Sequence, residues 1–545
     1  MSRSPRGATA LRGLTPVLLA ATALGTGCAT GQVRPWEYSP RPMADTLAIW
    51  EPAERDPSVV YEQIAYALLL PLSIGGGGPA WNADPFDEIV DSAWFTNRNA
   101  VRPLTPEEVA RGPHTVDGPD QSGPVEVTAM KSEGVNIGFF IKDARGDRWL
   151  VKFDPPELPE MASGADVLAT NLVWSAGYNT PQNHVYYLDP TVLRVREGVE
   201  LNVVEDLARY PRDSQGRIRT LASKFLPGIP KGPFAWEGTL PDDPNDVIPH
   251  ENRRELRGYY VVASWINQVD TKEGNTKDMF QLHSGSPTDG EARRFGHLVH
   301  VMLDNGASLG SGGVHPHRPR HGSENDLDMK AISLRLITLG AYERPWQDIE
   351  DTGHPETIGW FGADGFRPGQ WKSSIPNPTF DAVTDRDGYW GAKLVMSFTD
   401  EQLAGALDAT QWSDPAAKAY ILKGLKQRRD LIGRYWFARV SPLDQPRVES
   451  GAVTFDDLWT QHFGGRGQYR YDFDGPAAGG EGIADQPRVP LPAGLAAGDG
   501  GRVRLRVWRS KPEGTGWAPR PATIWLAPGG GAGGQADWRV VGVRY

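Results

Sequence analysis

The spacing of apolar and polar positions changes character several times along the chain. Residues 14–24 form a short apolar run behind Arg3, Arg6 and Arg12. Residues 59–74 are again apolar, but Glu62, Gln63 and Pro71 interrupt them, which predicts a buried or surface-lying helix rather than a membrane span. From Val125 a period of two takes over. Residues 125–130, 138–141 and 148–153 read as strands, with Asp143-Ala-Arg-Gly-Asp147 as the hairpin turn between the last two. A helix is predicted over 162–176, ended by Gly177, followed by strands over 185–188 and 220–226. Residues 250–267 return to a helical spacing, with Pro249 near the start, and strands follow at 279–282 and 298–303. Residues 400–442 are strongly helical, with Leu403, Leu407, Tyr420, Ile421, Leu425, Leu431 and Ile432 as the expected core stripe. The end of the chain carries β-like runs at 503–508, 522–526 and 538–545.

These shifts divide the chain into a leader (1–27), a Pro- and charge-rich tether (28–55) and a helical preface (56–124). A strand-rich unit (125–230), a helix-rich unit (231–445) and a C-terminal extension with a small β module (446–545) follow. The Gly- and Pro-rich stretch 474–500 reads as a linker. No internal repeat is visible. The expected fold class is α+β.

Composition narrows the function. Hydrophobic residues make up 39% and charged residues 23% of 545, a globular balance. A net charge of −11 argues against a nucleic-acid partner. The single cysteine, Cys28, excludes an intrachain disulfide and thiol catalysis in the folded body. Leu24-Gly-Thr-Gly-Cys28 follows the short apolar run, and small residues there let a peptidase hold an extended chain. The segment resembles a lipoprotein signal peptide, with the large aliphatic residue one place further from the cysteine than usual. That resemblance implies cleavage before Cys28, lipid on its thiol and attachment to a membrane of the cell envelope. Ala29 in place of Asp implies the outer membrane by the same resemblance.

One constellation carries chemistry. Asp270-Thr-Lys272-Glu-Gly-Asn275 lies between a predicted helix and a predicted strand. An Asp there can accept the proton of an attacking hydroxyl, and an Asn five residues on can bind a metal ion through its amide oxygen. Lys272 stands where it can reach a transferring phosphate. Alone, such a loop also reads as an acidic turn capping its own backbone. Upstream, Lys152 lies on a predicted strand, where a lysine can pair with phosphates. Downstream, Asp304-Asn305-Gly306 follows another strand, where an Asp can hold Mg²⁺.

Strand lysine, helix, helix, catalytic loop, strand and metal aspartate, in that order, resemble the protein-kinase-like superfamily over roughly residues 125–440. The likeness extends to HipA-type and phosphoinositide-kinase-like proteins, and to an uncharacterised group of bacterial lipoproteins. It implies a two-lobed core, 125–230 being N-lobe-like and 231–445 C-lobe-like. By the same resemblance Lys152 is the nucleotide lysine, Asp270 the base, and Asn275 and Asp304 the Mg²⁺ ligands. Asp166 is the helix partner of Lys152, with Glu160 as the other candidate. Gly134 and Gly138 frame a thin glycine loop over the phosphates, and adenine lies near residues 225–228. ATP or another nucleotide and Mg²⁺ are the implied cofactors. The chain departs from the pattern where Gln268-Val269 replaces His-Arg, Asn305 replaces Phe, and Asp166 replaces Glu. The implied activity is phosphoryl transfer to a hydroxyl of a protein or envelope molecule. An inactive kinase-fold scaffold and AMP transfer by the same site are the alternatives. Of the remaining clusters, His315, His317 and His321 suggest substrate contact before metal binding, and 242–246 suggests a turn before a Ca²⁺ loop.

Overall fold

The computed structural model describes residues 44–68, 78–132, 138–288, 293–474, 480–495, 501–529 and 538–545. Cys28 and Gly134 lie outside these residues. Before residue 125 come a short strand β1 (Ile49–Trp50) and the helices α1 (Val59–Leu68) and α2 (Pro106–Arg111). α2 starts on a capping box: Thr105 accepts the Glu108 N–H, Glu108 accepts the Thr105 N–H, and Pro106 fills the first turn. The helical preface expected over 56–124 reduces, among the described residues, to α1 and α2. The reason is local. Asp84 accepts the N–H groups of Phe86 and Glu88, and Asp91 that of Asn97, so side chains tie this backbone into turns instead of helix.

The next stretch contains β2 (Val125–Met130), β3 (Gly138–Lys142), β4 (Arg148–Phe153), α3 (Met161–Ala176), β5 (Asn183–Leu188), β6 (Leu193–Val195), α4 (Val203–Asp206), β7 (Ile218–Lys224) and β8 (Ile229–Pro230). Six of these strands form one sheet in the order β5-β7-β4-β3-β2-β6, antiparallel except for β2 beside β6. The β3–β4 turn is shaped by Asp143, whose carboxylate accepts the Arg145 and Asp147 N–H groups. Alternation then sorts the side chains. Val127, Phe139, Trp149, Val151 and Phe153 enter a core closed by Leu207 and Tyr210, while Leu150 and Lys152 take the opposite face. α3 is buried along almost its whole length, because Gly164 lets the Trp412 indole lie on its backbone. It ends at Gly177, whose φ of +130° suits glycine.

The helix-rich stretch contains α5 (Arg254–Ile266), β9 (Thr276–Leu282), β10 (Phe295–Met302), α6 (Met329–Ile337), α7 (Pro378–Asp381), α8 (Asp385–Met396), α9 (Asp400–Ala406) and α10 (Pro415–Phe437). β9 and β10 form a hairpin flanked by β8 and β1, giving a four-stranded sheet β1-β10-β9-β8. α5 stops at Asn267, which adopts a left-handed conformation at φ 54° and turns the chain towards the loop 268–275.

The remainder is β11 (Leu443–Glu449), β12 (Ala452–Asp457), α11 (Leu458–Phe463), β13 (Tyr469–Asp474), β14 (Glu481–Ala484), β15 (Arg488–Pro490), β16 (Val503–Arg509), β17 (Ala522–Pro528) and β18 (Trp538–Arg544). They form two antiparallel sheets, β11-β12-β15 and β14-β13-β16-β17-β18. The linker expected over 474–500 is corrected here, since β14 and β15 occupy part of it and pair with β13 and β12. Nor is this region detached from the body. Val503, Leu505, Ile524, Val543 and Tyr545 belong to the same continuous core as Tyr389, Phe437 and Trp265. The Tyr545 hydroxyl donates to the Leu443 carbonyl at 3.0 Å, and the Val543 N–H to the Pro85 carbonyl at 2.8 Å. The whole is a mixed α/β molecule of eleven α-helices and four sheets among the described residues. Among them, no helix is long and apolar enough to cross a membrane.

Candidate active site

Period-two alternation on β4 puts Leu150 and Lys152 on one wall of a cavity of about 670 Å³. Phe140 from β3 and Leu221 and Ser223 from β7 extend that wall. Facing it are Asp166 from α3, Asp270, Lys272, Gly274 and Asn275 from the loop after α5, and Asp304 and Gly306 from the loop after β10. The lining thus combines apolar side chains on the sheet wall, Phe140, Leu150 and Leu221, with a charged part.

Within the charged part, the Lys152 ammonium lies 2.9 Å from Asp304 and 3.8 Å from Asp166. Asp166 is steadied by the Thr170 hydroxyl at 3.1 Å and the Asn183 amide at 2.8 Å, both donating to one carboxylate oxygen. Burial raises Asp166 to about 6, because Lys152 offsets only part of the desolvation and Asp304 adds repulsion. Burial also opposes the charge on Asp304, but Lys152 and the Gly306 N–H overcome it and hold Asp304 down at about 2. Desolvation disfavours the Lys152 charge, and the two carboxylates override it, so Lys152 stays above its ordinary value. Asp166 is shorter than Glu, and the lysine leans towards Asp304. Glu160, the other candidate partner, accepts the Ser413 N–H at 2.7 Å, outside the cavity lining.

The loop from Asp270 to Asn275 is tied to Asp304 through the backbone. The Asn275 carbonyl accepts the Leu303 N–H at 2.8 Å and the Asp304 N–H at 3.4 Å. The Asn275 amide donates to the Asp270 carbonyl at 2.7 Å, which leaves its side-chain oxygen as an acceptor. Lys272 pairs with Asp270 at 2.7 Å, so it neutralises the candidate base in this state. Gln268, standing where His-Arg is usual, donates to the Asp304 carbonyl at 2.7 Å. Asn305, standing where Phe is usual, accepts from the Tyr259 hydroxyl at 3.4 Å and donates to Thr170 at 3.3 Å.

Lys152, Asp166, Asp270, Lys272, Asn275 and Asp304 converge on one cavity. Gly138 opens β3 directly opposite Lys152 in the β3–β4 register. The stretch 225–228, expected to meet adenine, lies beyond the lining, which ends at Ser223 on that strand. Several members escaped the sequence reading. The partners of Asp166, Thr170 and Asn183, come from elements with no motif to mark them. Asp154, two residues after Lys152, lines the cavity while accepting the Ser163 N–H and hydroxyl, and burial raises it to about 6 despite those donors. The β4 alternation was a legible signal for Leu150.

Other clusters are committed elsewhere. Asp246 accepts from His250 at 2.8 Å and Arg253 at 2.9 Å, so 242–246 is a braced turn. His317 is buried and stacks on His321 at 4.7 Å, while Gly312 to Val314 of the same segment reach the cavity. Among the described residues, no group of three or more His, Cys, Asp or Glu side chains stands ready to hold a metal ion. A cation beside Asp304 and Asn275 therefore needs oxygens from its own ligand, as Mg²⁺ on phosphates has.

No family model matches this chain, and no curated protein matches it. Among solved structures it is similar to the Rio2 kinase-ADP/Mg2+-phosphoaspartate complex from Chaetomium thermophilum, at 11% identity over 52% of this chain and 70% of that one, with a TM-score of 0.21.

Proposed function

We propose that this chain is a nucleotide- and Mg²⁺-dependent phosphotransferase with a two-lobed kinase-like core, acting on a hydroxyl of a protein or envelope molecule. The supporting observation is the cavity, whose apolar side chains share a lining with Lys152, Asp270, Asn275 and Asp304. Phe140, Leu150 and Leu221 offer a surface for a purine. Four carboxylates, Asp154, Asp166, Asp270 and Asp304, line the cavity with three lysines, Lys131, Lys152 and Lys272, an excess that favours a cation. Asp304 and the Asn275 side-chain oxygen would hold Mg²⁺, and Lys152 would hold phosphate oxygens. When bound, Mg²⁺ neutralises charge on the transferring phosphate. Asp270 orients the acceptor hydroxyl and takes its proton at a carboxylate oxygen once Lys272 turns away to the phosphate. Asp166 keeps Lys152 oriented when Asp304 exchanges the lysine for the cation.

The chain is further proposed to be held at the cell envelope, in the outer membrane, by lipid on Cys28. Support is the Arg-flanked apolar run and the small residues before that lone cysteine.

A second reading, an inactive kinase-fold scaffold, draws on the Asp270–Lys272 and Asp304–Lys152 pairs, which close the site on itself. Calorimetric titration of the chain from residue 29 onward separates the two readings. The enzyme reading expects nucleotide binding that requires Mg²⁺ and is lost in Asp304→Ala. It also expects Asp270→Ala to bind normally while transfer falls by ~10²–10⁴-fold. Absence of Mg²⁺-dependent binding leaves the scaffold.

A further inference from the structure

The loop that carries Asp270, Lys272 and Asn275 has one residue turned the other way. Glu273 is buried, 3% exposed, and faces α1 and the chain just before it. Its carboxylate accepts from the Tyr66 hydroxyl at 2.8 Å and from the Arg55 guanidinium at 2.5 Å. Its backbone N–H donates to the Glu62 carboxyl at 2.8 Å. Arg55 is anchored in turn, its side chain donating to the Pro233 carbonyl at 3.0 Å and its N–H to the Lys231 carbonyl at 2.9 Å. Three groups from residues 55–66 thus meet one residue of a loop that lacks strand or α-helix ladders of its own.

We propose that Arg55, Glu62 and Tyr66 are positioning residues, which clamp Glu273 so that Asp270 and Asn275 sit at the working distance from Asp304. The inference rests on the phosphotransferase reading of the cavity. None of the three lines that cavity; they act from the far side of the loop, on a separate hollow of about 660 Å³. The loop has other fastenings: the Asn275 amide on the Asp270 carbonyl, the Asn275 carbonyl on the Leu303 N–H, the Asn275 N–H on the Lys272 carbonyl and the Thr276 hydroxyl on the Glu273 carbonyl. These bonds hold backbone carbonyls within the loop and at its junction with Leu303. The clamp is what grips the Glu273 side chain and N–H from the far side, between the proposed base and the proposed metal ligand. Because burial raises Glu62 to about 7, a neutral amide reproduces its acceptor role at that position. The clamp also makes the site depend on residues 55–66, and the tether expected over 28–55 is not free from residue 44 onward, since β1 pairs with β10 and Asp45 and Ile49 are buried.

The test uses the chain from residue 29 onward with Mg²⁺–ATP. Tyr66→Phe and Glu62→Ala are expected to lower the transfer rate by about 10–100-fold, as misplacement by a fraction of an ångström to an ångström does. Nucleotide affinity should fall much less than the rate, because Lys152 and Asp304 are untouched. Glu62→Gln keeps the acceptor and is expected to restore the rate. Hydrogen exchange of the Glu273 amide should speed up in Glu62→Ala and return in Glu62→Gln. Equal rates in wild type, Tyr66→Phe and Glu62→Ala overturn the inference while leaving the phosphotransferase reading intact. So does Glu62→Gln as slow as Glu62→Ala, since the loss of rate would then not follow the lost acceptor. A wild-type chain that binds no Mg²⁺–nucleotide overturns the reading of the cavity and this inference with it.

Discussion

Two charge clusters in this molecule look alike in a residue count and behave differently. The first joins Asp87, Arg254, Arg257, Arg386 and Asp387. Arg254 reaches Asp87 and Asp387 at 2.9 Å each, Arg257 reaches Asp387 at 3.1 Å, and Arg386 reaches Asp87 at 2.5 Å. Both aspartates are at most 1% exposed at the side chain. Arg544, at 3.8 Å from Asp87, brings in the last strand. The second cluster is Lys152 with Asp166, Asp304, Asp270 and Lys272, and the Asp304 side chain is 38% exposed towards the cavity. Cations outnumber carboxylates in the first, and every aspartate there is enclosed. Carboxylates outnumber cations in the second, on an open wall. The first is a knot that ties residues 87, 254–257, 386–387 and 544 together. The second keeps an excess of carboxylates on the cavity wall.

The largest expected effect comes from cutting the core that the knot helps to close. Removing residues 475–545 strips β14 to β18 from the core shared with Tyr389 and Phe437, and should yield aggregated or unfolded chain on size exclusion and circular dichroism. A folded, cooperative product would make the module separable after all. Next, Arg254→Ala takes one cation from each of the enclosed Asp87 and Asp387, leaving Arg386 and Arg257 as their partners, and should cost up to about 3–5 kcal/mol in denaturant unfolding. Asp304→Asn in the open cluster should shift the unfolding midpoint far less, because water reaches that side chain, although on the phosphotransferase proposal it should abolish Mg²⁺-dependent nucleotide binding. Equal destabilisation by the two variants would erase the distinction between knot and cleft.

The smallest effect is in pH dependence, and the two clusters should show opposite signs. Burial opposes ionisation of Asp87, but Arg254 and Arg386 outweigh it and hold the group below the ordinary carboxylate value. Its stabilisation is present above the unfolded value of about 4 and is lost as pH falls through the folded one. Asp166 is raised to about 6, so the folded state prefers its protonated form. Relative to Asp166→Asn, the wild type should therefore lose stability as pH rises from about 4 to about 6, on the order of 1–3 kcal/mol. Relative to Asp87→Asn, the wild type should lose stability as pH falls below about 4. Thermal unfolding of both pairs across pH 3–7 checks the signs.

Much of this was legible because it is local. Period-two alternation marked β3 and β4 and put Lys152 with Leu150 on one face. Gly177 marked the end of α3, and the 3.6-residue spacing marked α5 and α10. The order Lys152, Asp270, Asn275, Asp304 was readable in one dimension, as was the Asp-to-Asn spacing on a single loop. Tertiary structure alone decided that these residues meet, because α3, α5 and β10 must pack before their ends share a cavity. It also decided that Lys152 leans towards Asp304, that Asp166 and not Glu160 faces it, and that Thr170 and Asn183 hold Asp166. The region 474–500 misled the sequence reading, since Gly and Pro mark turns as readily as linkers, and pairing across strands far apart in sequence leaves no local trace. The grip of Arg55, Glu62 and Tyr66 on Glu273 spans more than two hundred residues, and only the packed chain brings such partners together.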